Sequence, residues 1–411
     1  MSGVGSESSK PLSPRRKSRK IRLGNLYVGG DAPISVQSMA TTDTRDAEAT
    51  IAQCRELQAA GADIVRLAVP DDEAAANLAA IARSVTIPLV ADIHFNSHLA
   101  LKAIDAGMAG IRLNPGNIGG QKRVREVARA AKAAGVPIRI GVNGGSLEKE
   151  LLAKYGTPSP EAMVESAVNH IRMLEEEDFF DIKVSLKASD VPTMVRAYRL
   201  AAQTFDYPLH LGVTEAGTLL QGAVKSSAGI GILLGEGIGD TLRVSLTADP
   251  VEEVKVGVHL LKGLGLRQGG MTLVSCPTCG RCSVDMISAA NRIEKALAGV
   301  QEEVHVAVMG CEVNGPGEAR EADIGVAYGH NNVGLLFKKG KIVKRFAADQ
   351  LEAALVDEVR SFVTERGGKL PVVSDAPAAP ALQFRVNPPP PKLPEGRPSW
   401  VLPGKAGFDP R

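Results

Sequence analysis

The stretch AAGVPIRIGVNGG, residues 133–145, decides how the chain is read. Its Ala-rich start runs out at Gly135, the residue type for which a left-handed cap just past a helix end costs least. A short β-rich run follows and finishes in polar residues around Asn143. Helix end, strand and polar turn in that order make one joint of an alternating α/β chain, and AAGADIV at 59–65 repeats the first half of it.

Working outward, the same kind of run recurs as ISVQSM from 34, DIVRLAV from 63, LVADIH from 89 and GIRLNPG from 110. DIKVSLKAS from 181, LHLGVTEAG from 209 and TLRVSLTADP from 241 complete the series. Eight strand runs alternating with helical patterns predict an α/β chain whose residues 21–268 form a (β/α)8 TIM-type barrel. In that architecture chemistry gathers at the C-terminal ends of the strands. Here each run ends in polar residues.

The 411 residues are enough for two or three domains. With 48 Lys+Arg against 46 Asp+Glu the net charge is +2, so no whole-chain bias toward nucleic acid or membrane exists and any basic patch is local. No apolar run approaches the ~20 residues that span a bilayer, and the start lacks a secretory signal's apolar stretch, so a cytoplasmic protein is expected. Residues 1–20, containing RRKSRK, read as a disordered basic arm, and residues 369–411 as a Pro-rich extended tail. Between barrel and tail, 269–368 read as a small α+β domain with a helix near 284–298, strands VHVAVMG and DIGVAYG, and a helix near 347–366.

The strand ends carry Arg66, Asp92, His94, Arg112, Asn114, Arg139, Asn143, Lys183, Lys187, His210, Glu215, Arg243 and Ser245. Arg or Lys inside a strand, as in VRL, IRL, IRI, IKV and LRV, points into the barrel or toward its helices, and a buried charge in either place needs a partner. Asp63, Asp92, Asp181 and Glu215 are candidate ion-pair partners. For the set as a whole an anion such as a phosphate or diphosphate is favoured, because guanidinium forks match phosphate oxygens in pairs. The Gly-rich turns NPGNIGG and VNGGS add possible backbone donors. Glu215, beside Gly217 at a strand end, suits a general acid.

Four of the five cysteines, Cys276, Cys279, Cys282 and Cys311, lie within 36 residues, while Cys54 sits alone in a helical pattern as a core thiol. A cluster of this kind in a chain without a disulfide framework points to metal. Four thiolates suit structural zinc or a [4Fe–4S] cluster equally, and Glu318 in the NGPGE turn opens a third option of three cysteines and a carboxylate.

The motifs GGDAPISVQSM, ADIHF, IRLNPGN, VTEAG, GIGDTLRVSLTADP, SCPTCGR and GCEVNGPGE, in this order from about Ile21 to Gly367, resemble the 4-hydroxy-3-methylbut-2-enyl diphosphate synthase family. The resemblance implies a [4Fe–4S] cluster held by Cys276, Cys279, Cys311 and Glu318, with Cys282 outside the set. It implies reductive ring opening and dehydration of 2-C-methylerythritol 2,4-cyclodiphosphate in the non-mevalonate route to isoprenoids. On that reading Arg66, Asp92, His94, Arg112, Asn114, Arg139, Asn143, Lys183 and Ser245 bind the substrate, and Glu215 protonates the departing hydroxyl. A flavodoxin or ferredoxin donor is implied, as is a homodimer in which one subunit's cluster domain covers the other's barrel. Two rival readings are a phosphosubstrate barrel lyase or transferase with a structural zinc site, and an iron–sulfur sensor with an inert barrel. The crowd of cations at the strand ends argues against the sensor, since an inert barrel has no use for them.

Overall fold

The computed structural model describes residues 12–368 apart from 95, 280, 283, 312–316, 318, 319, 330 and 331. The expectations for residues 1–11, the tail 369–411 and Glu318 therefore fall outside the described residues. The chain divides into two units, 1–268 and 269–411.

The first unit opens with a hairpin of β1 (Ile21–Leu23) and β2 (Leu26–Val28). Then come β3 (Ser35–Met39), β4 (Ile64–Ala68), β5 (Leu89–Asp92), β6 (Gly110–Leu113), β7 (Ile138–Asn143), β8 (Ile182–Lys187), β9 (His210–Leu211) and β10 (Thr241–Leu242). These eight pair in the order β8-β7-β6-β5-β4-β3-β10-β9, all parallel where the pairing is given. A parallel bridge from Val184 to Leu209 joins the two ends of that order, so the sheet closes into the expected barrel. Helices between the strands start at side-chain caps: Asp46, Asp71, Asn96, Ser159, Asp190 and Asp249 each accept a backbone N–H from the first turn. Each such cap stabilises by about 1 kcal/mol. Gly135 ends its helix at φ 65°, as the opening stretch requires.

Period-two alternation settles which way the strand cations point. Ile111 and Leu113, Ile138, Ile140 and Val142, and Ile182, Val184 and Leu186 all join the core beneath the helices. Their alternates, Arg112, Arg139, Gly141, Lys183, Ser185 and Lys187, must face the opposite side, which in a closed sheet is the interior. Barrel interiors are normally packed with bulky branched side chains. This one has an apolar floor, where Ile64 and Val90 meet Ile21, Leu23 and Val28 of the hairpin, and polar layers above it.

The basic segment before the hairpin departs from the expectation of a disordered arm. Arg15 NH2 and Ser18 Oγ donate to Asp240 Oδ1 at 2.9 and 2.8 Å. Arg16 donates to the carbonyls of Ala202, Phe205 and Tyr207, at the end of the helix Val191–Thr204. Arg19 stacks on the Tyr207 ring at 4.3 Å. The cause is Asp240, a buried carboxylate just before β10 that needs a cation, together with helix-end carbonyls that favour one.

The second unit is a five-stranded sheet in sequential order: β11 (Met271–Ser275), β12 (Val304–Met309), β13 (Ile324–Tyr328), β14 (Val333–Lys338) and β15 (Lys341–Ala347). The first three are parallel and the last two antiparallel. Residues of the helices Met286–Ala296 and Leu351–Glu365 complete its core, with Ile293, Leu355 and Val359 packed against Val306 and Val326. Among the described residues no helix is long and apolar enough to cross a membrane.

Candidate functional site

Strand register lines up Asp92, Arg112, Arg139 and Lys183 across β5 to β8. Arg112 NH1 lies 3.1 Å from Asp92 Oδ1, and Arg66 Nε and His94 Nε2 lie 3.5 and 3.6 Å from Oδ2. Burial alone would raise the Asp92 pKa, but Arg66, the His94 hydrogen bond and Arg112 outweigh it and hold the carboxyl well below its ordinary range. Of the four ion-pair partners expected from sequence, only Asp92 faces these cations. Asp63 pairs with Arg267 at 2.8 Å, and Asp181 and Glu215 are exposed.

Arg139 shows how incompletely one carboxylate balances the interior. It is 3% exposed, and its Nε and NH1 have no hydrogen-bond partner. Burial, then repulsion from Arg66 and Arg112, pulls its pKa well below the guanidinium norm. Lys183 is equally buried and is brought down to about 7, first by burial and then by Arg139. Lys187 is lowered as well, first by burial and then by Arg139, Arg243 and Arg66. His210, fully buried with Nδ1 2.6 Å from Thr241 Oγ1, is pushed by burial and these cations toward the neutral imidazole.

Two glycines make room for the cations. A Cβ on Gly141 would sit 2.7 Å from Arg112 Nε, and one on Gly212 would sit 2.9 Å from Lys187 Nζ. Sequence reading passed over Glu253, which lies in the first turn of the helix Pro250–Gly263 and is 4% exposed. Its carboxylate is 3.3 Å from the Arg243 guanidinium, accepts Leu246 N–H at 2.9 Å, and is 3.4 Å from Ser38 Oγ. An acidic residue in a helix's first turn is ordinary helix chemistry, so nothing in the sequence singled this one out.

Six cations thus gather around two carboxylates, Asp92 and Glu253. Asn114, with a buried Oδ1 lacking a hydrogen bond, follows β6; Asn143 ends β7 opposite Lys187; half-buried Ser245 follows β10. His94 is on the rim, 59% exposed at the side chain. Glu215 sits in the loop after β9 at φ 53°, a left-handed conformation that costs a residue with a Cβ about 1–2 kcal/mol. That loop is held on both sides, Thr214 N–H donating to Ala188 O and Thr247 N–H to Gly217 O.

In the second unit, Cys276 follows β11 and Cys311 follows β12, and these strands are neighbours. Gly310 N–H donates to Cys276 Sγ at 3.1 Å, and a Cβ on Gly310 would lie 2.6 Å from Cys282 Sγ. Hydrogen bonds from the Arg281 backbone and side chain lower the Cys279 pKa. Cys282 goes the other way, raised by burial and by the neighbouring Cys276 and Cys279. As placed, no three His, Cys, Asp or Glu side chains among the described residues form a group able to hold a metal ion. The donor chemistry nonetheless suits a thiolate-held group: Cys276 accepts a backbone N–H, and Cys279 is exposed with a lowered pKa, which favours its thiolate. Cys54 is a core thiol, fully buried, its pKa pushed up to about 11 by burial.

Similarity to known proteins covers both units. Residues 18–258 match the family described as the GcpE TIM-barrel domain, and residues 272–361 match the GcpE protein C-terminal domain. A Geobacter sulfurreducens protein named 4-hydroxy-3-methylbut-2-en-1-yl diphosphate synthase (flavodoxin) is 60% identical over 352 residues, 86% of this chain and 99% of that one. A Clostridium perfringens protein of the same name is 56% identical over 348 residues, 85% of this chain and 99% of its own length. Among solved structures, a Stenotrophomonas maltophilia dihydropteroate synthase has a TM-score of 0.44 at 18% identity, covering 60% of this chain and 96% of that one, too slight a likeness to bear on chemistry. With both halves matched in order and the relatives spanned almost end to end, the chain belongs to the GcpE family.

Proposed function

We propose that the chain is a 4-hydroxy-3-methylbut-2-en-1-yl diphosphate synthase, acting on 2-C-methylerythritol 2,4-cyclodiphosphate by reductive ring opening and loss of water. The observation that carries this reading is the buried Arg139 guanidinium with two unpartnered nitrogens, flanked by Arg66, Arg112, Lys183 and Lys187. Uncompensated cations at this density are costly unless an anion with several oxygens arrives to share them, and a cyclic diphosphate supplies such oxygens. Arg66, Arg112, Arg139, Lys183 and Ser245 bind the phosphates; Asn114, Asn143 and His94 orient the rest of the substrate. Asp92 holds Arg66, Arg112 and His94 in place. Glu215 delivers the proton that lets the hydroxyl leave as water, its left-handed backbone fitting a constrained functional position.

Cys276, Cys279 and Cys311, with Glu318, would hold a [4Fe–4S] cluster, which when bound supplies the two electrons one at a time. Cys282, a raised-pKa thiol beside them, stays outside the ligand set. A flavodoxin is the electron donor, in keeping with the relatives' names, and the working form is a homodimer. The test is anaerobic turnover of the cyclodiphosphate with a chemical reductant, following 4-hydroxy-3-methylbut-2-enyl diphosphate by mass spectrometry. Product formation that Arg139→Met reduces at least ~100-fold is expected, the ~3 kcal/mol cost of removing one buried charged contact. Reconstituted protein that leaves the substrate unchanged overturns the reading.

A further inference from the structure

We infer that the outer strand of the second unit, β15, is the docking strip for an acidic electron-carrier protein; the inference rests on the function proposed above. The run KKGKIVKR, residues 338–345, carries five cations and no carboxylate in a chain whose net charge is only +2. Lys338 is occupied by Glu358 at 2.5 Å. The five residues Lys341 to Arg345 are all exposed, so this stretch is uncovered on both faces, unlike β14 beside it, where Leu335, Leu336 and Phe337 are buried.

Lysine on an edge strand also serves as a guard against unwanted strand pairing. A guard alone does not account for Ile342 and Val343, 51% and 55% exposed, in the middle of the cations. Apolar residues at the centre and charge at the rim is the composition of a protein interface. Cations select an acidic partner and steer its approach.

Register gives the strip a route to the thiols. Arg345 pairs with Leu335, Leu335 with Ala327, and Ala327 with Met309, two residues before Cys311. Three strand spacings make a lateral distance of about 14 Å from Arg345 to the strand that ends at Cys311. A carrier laid against this edge faces the domain that electrons must enter.

The test is the affinity of purified bacterial flavodoxin for the full chain, by titration calorimetry at low ionic strength, beside a variant with Lys341→Glu, Lys344→Glu and Arg345→Glu. The variant is expected to bind at least ~10-fold more weakly, with the gap closing toward ~0.5 M salt as the charges are screened. Its turnover with reduced methyl viologen in place of flavodoxin should match the native chain. If circular dichroism shows the glutamate variant misfolded, the glutamine version at the same three positions is read instead, with a smaller loss in the same direction. Equal flavodoxin affinity for native chain and variant overturns the inference, as does absence of binding to the native chain. A loss of self-association in the variant also overturns it, by assigning the strip to a second copy of this chain. Failure of viologen-driven turnover in the native chain counts against the proposed function alone, because the binding comparison needs no turnover.

Discussion

At the scale of single residues, the barrel interior is governed by a surplus of positive charge that burial makes unfavourable. Lys183, at about 7, is partly neutral near pH 7.5. An arriving diphosphate restores the charged form, so binding should take up a proton. Pyrophosphate titrated calorimetrically in buffers of different ionisation enthalpy should show uptake at pH 7.5 to 8 that shrinks at pH 6, where Lys183 is already charged, and is reduced in Lys183→Met. The sign for stability follows from the same shift: between about pH 7 and the ordinary lysine value near 10.4 the unfolded chain binds the extra proton, so this group makes the ligand-free fold more stable as pH rises through that window.

Glu253 is a positioning residue at the same scale, because it holds Arg243 and the Leu246 amide together. Glu253→Gln keeps the shape and removes the negative charge that pairs with Arg243. A rise in KM for the cyclodiphosphate of about 10-fold, with a smaller change in kcat, is expected from loss of a charge-assisted bond of 1.5–3 kcal/mol. A purely structural carboxylate would shift thermal stability and leave KM alone.

At the scale of elements, the strand runs and their polar ends were legible because parallel strands buried between helices have a distinctive apolar run, and Gly135 marked a helix end without ambiguity. The direction of the cations was not legible, since Arg139 between Ile138 and Ile140 obeys period two on either face until the sheet closes. The basic arm was misread for a related reason: Arg15 and Asp240 lie 225 positions apart, and a charge run looks solvated when its partner is that remote. The docked segment carries its own prediction. Deleting residues 1–20 strips Asp240 of Arg15 and Ser18 and should lower stability in urea by about 3–5 kcal/mol, as for a buried charge left without its partner. An unchanged midpoint would return the segment to the role of a loose arm.

Across the whole molecule, the proposed function divides the work between the two units. The barrel supplies a cationic interior able to hold a polyanion, and the second unit supplies clustered thiols and a basic outer strand. The β14–β15 hairpin drew no attention in the sequence, because a Lys-rich strand reads as solvated surface until its neighbours show where the sheet ends. The spacing of the thiols suggested a metal set, whereas the choice between zinc and iron–sulfur chemistry came only from the resemblance of the surrounding motifs.

The measurement that bears most directly on the account is the iron, sulfide and zinc content of protein purified without oxygen, with the EPR spectrum of the reduced sample recorded before and after the cyclodiphosphate is added. About four irons and four sulfides per chain, with a spectrum that changes on adding the substrate, is the predicted result. Zinc without sulfide, or a cluster whose spectrum ignores the substrate, would contradict it.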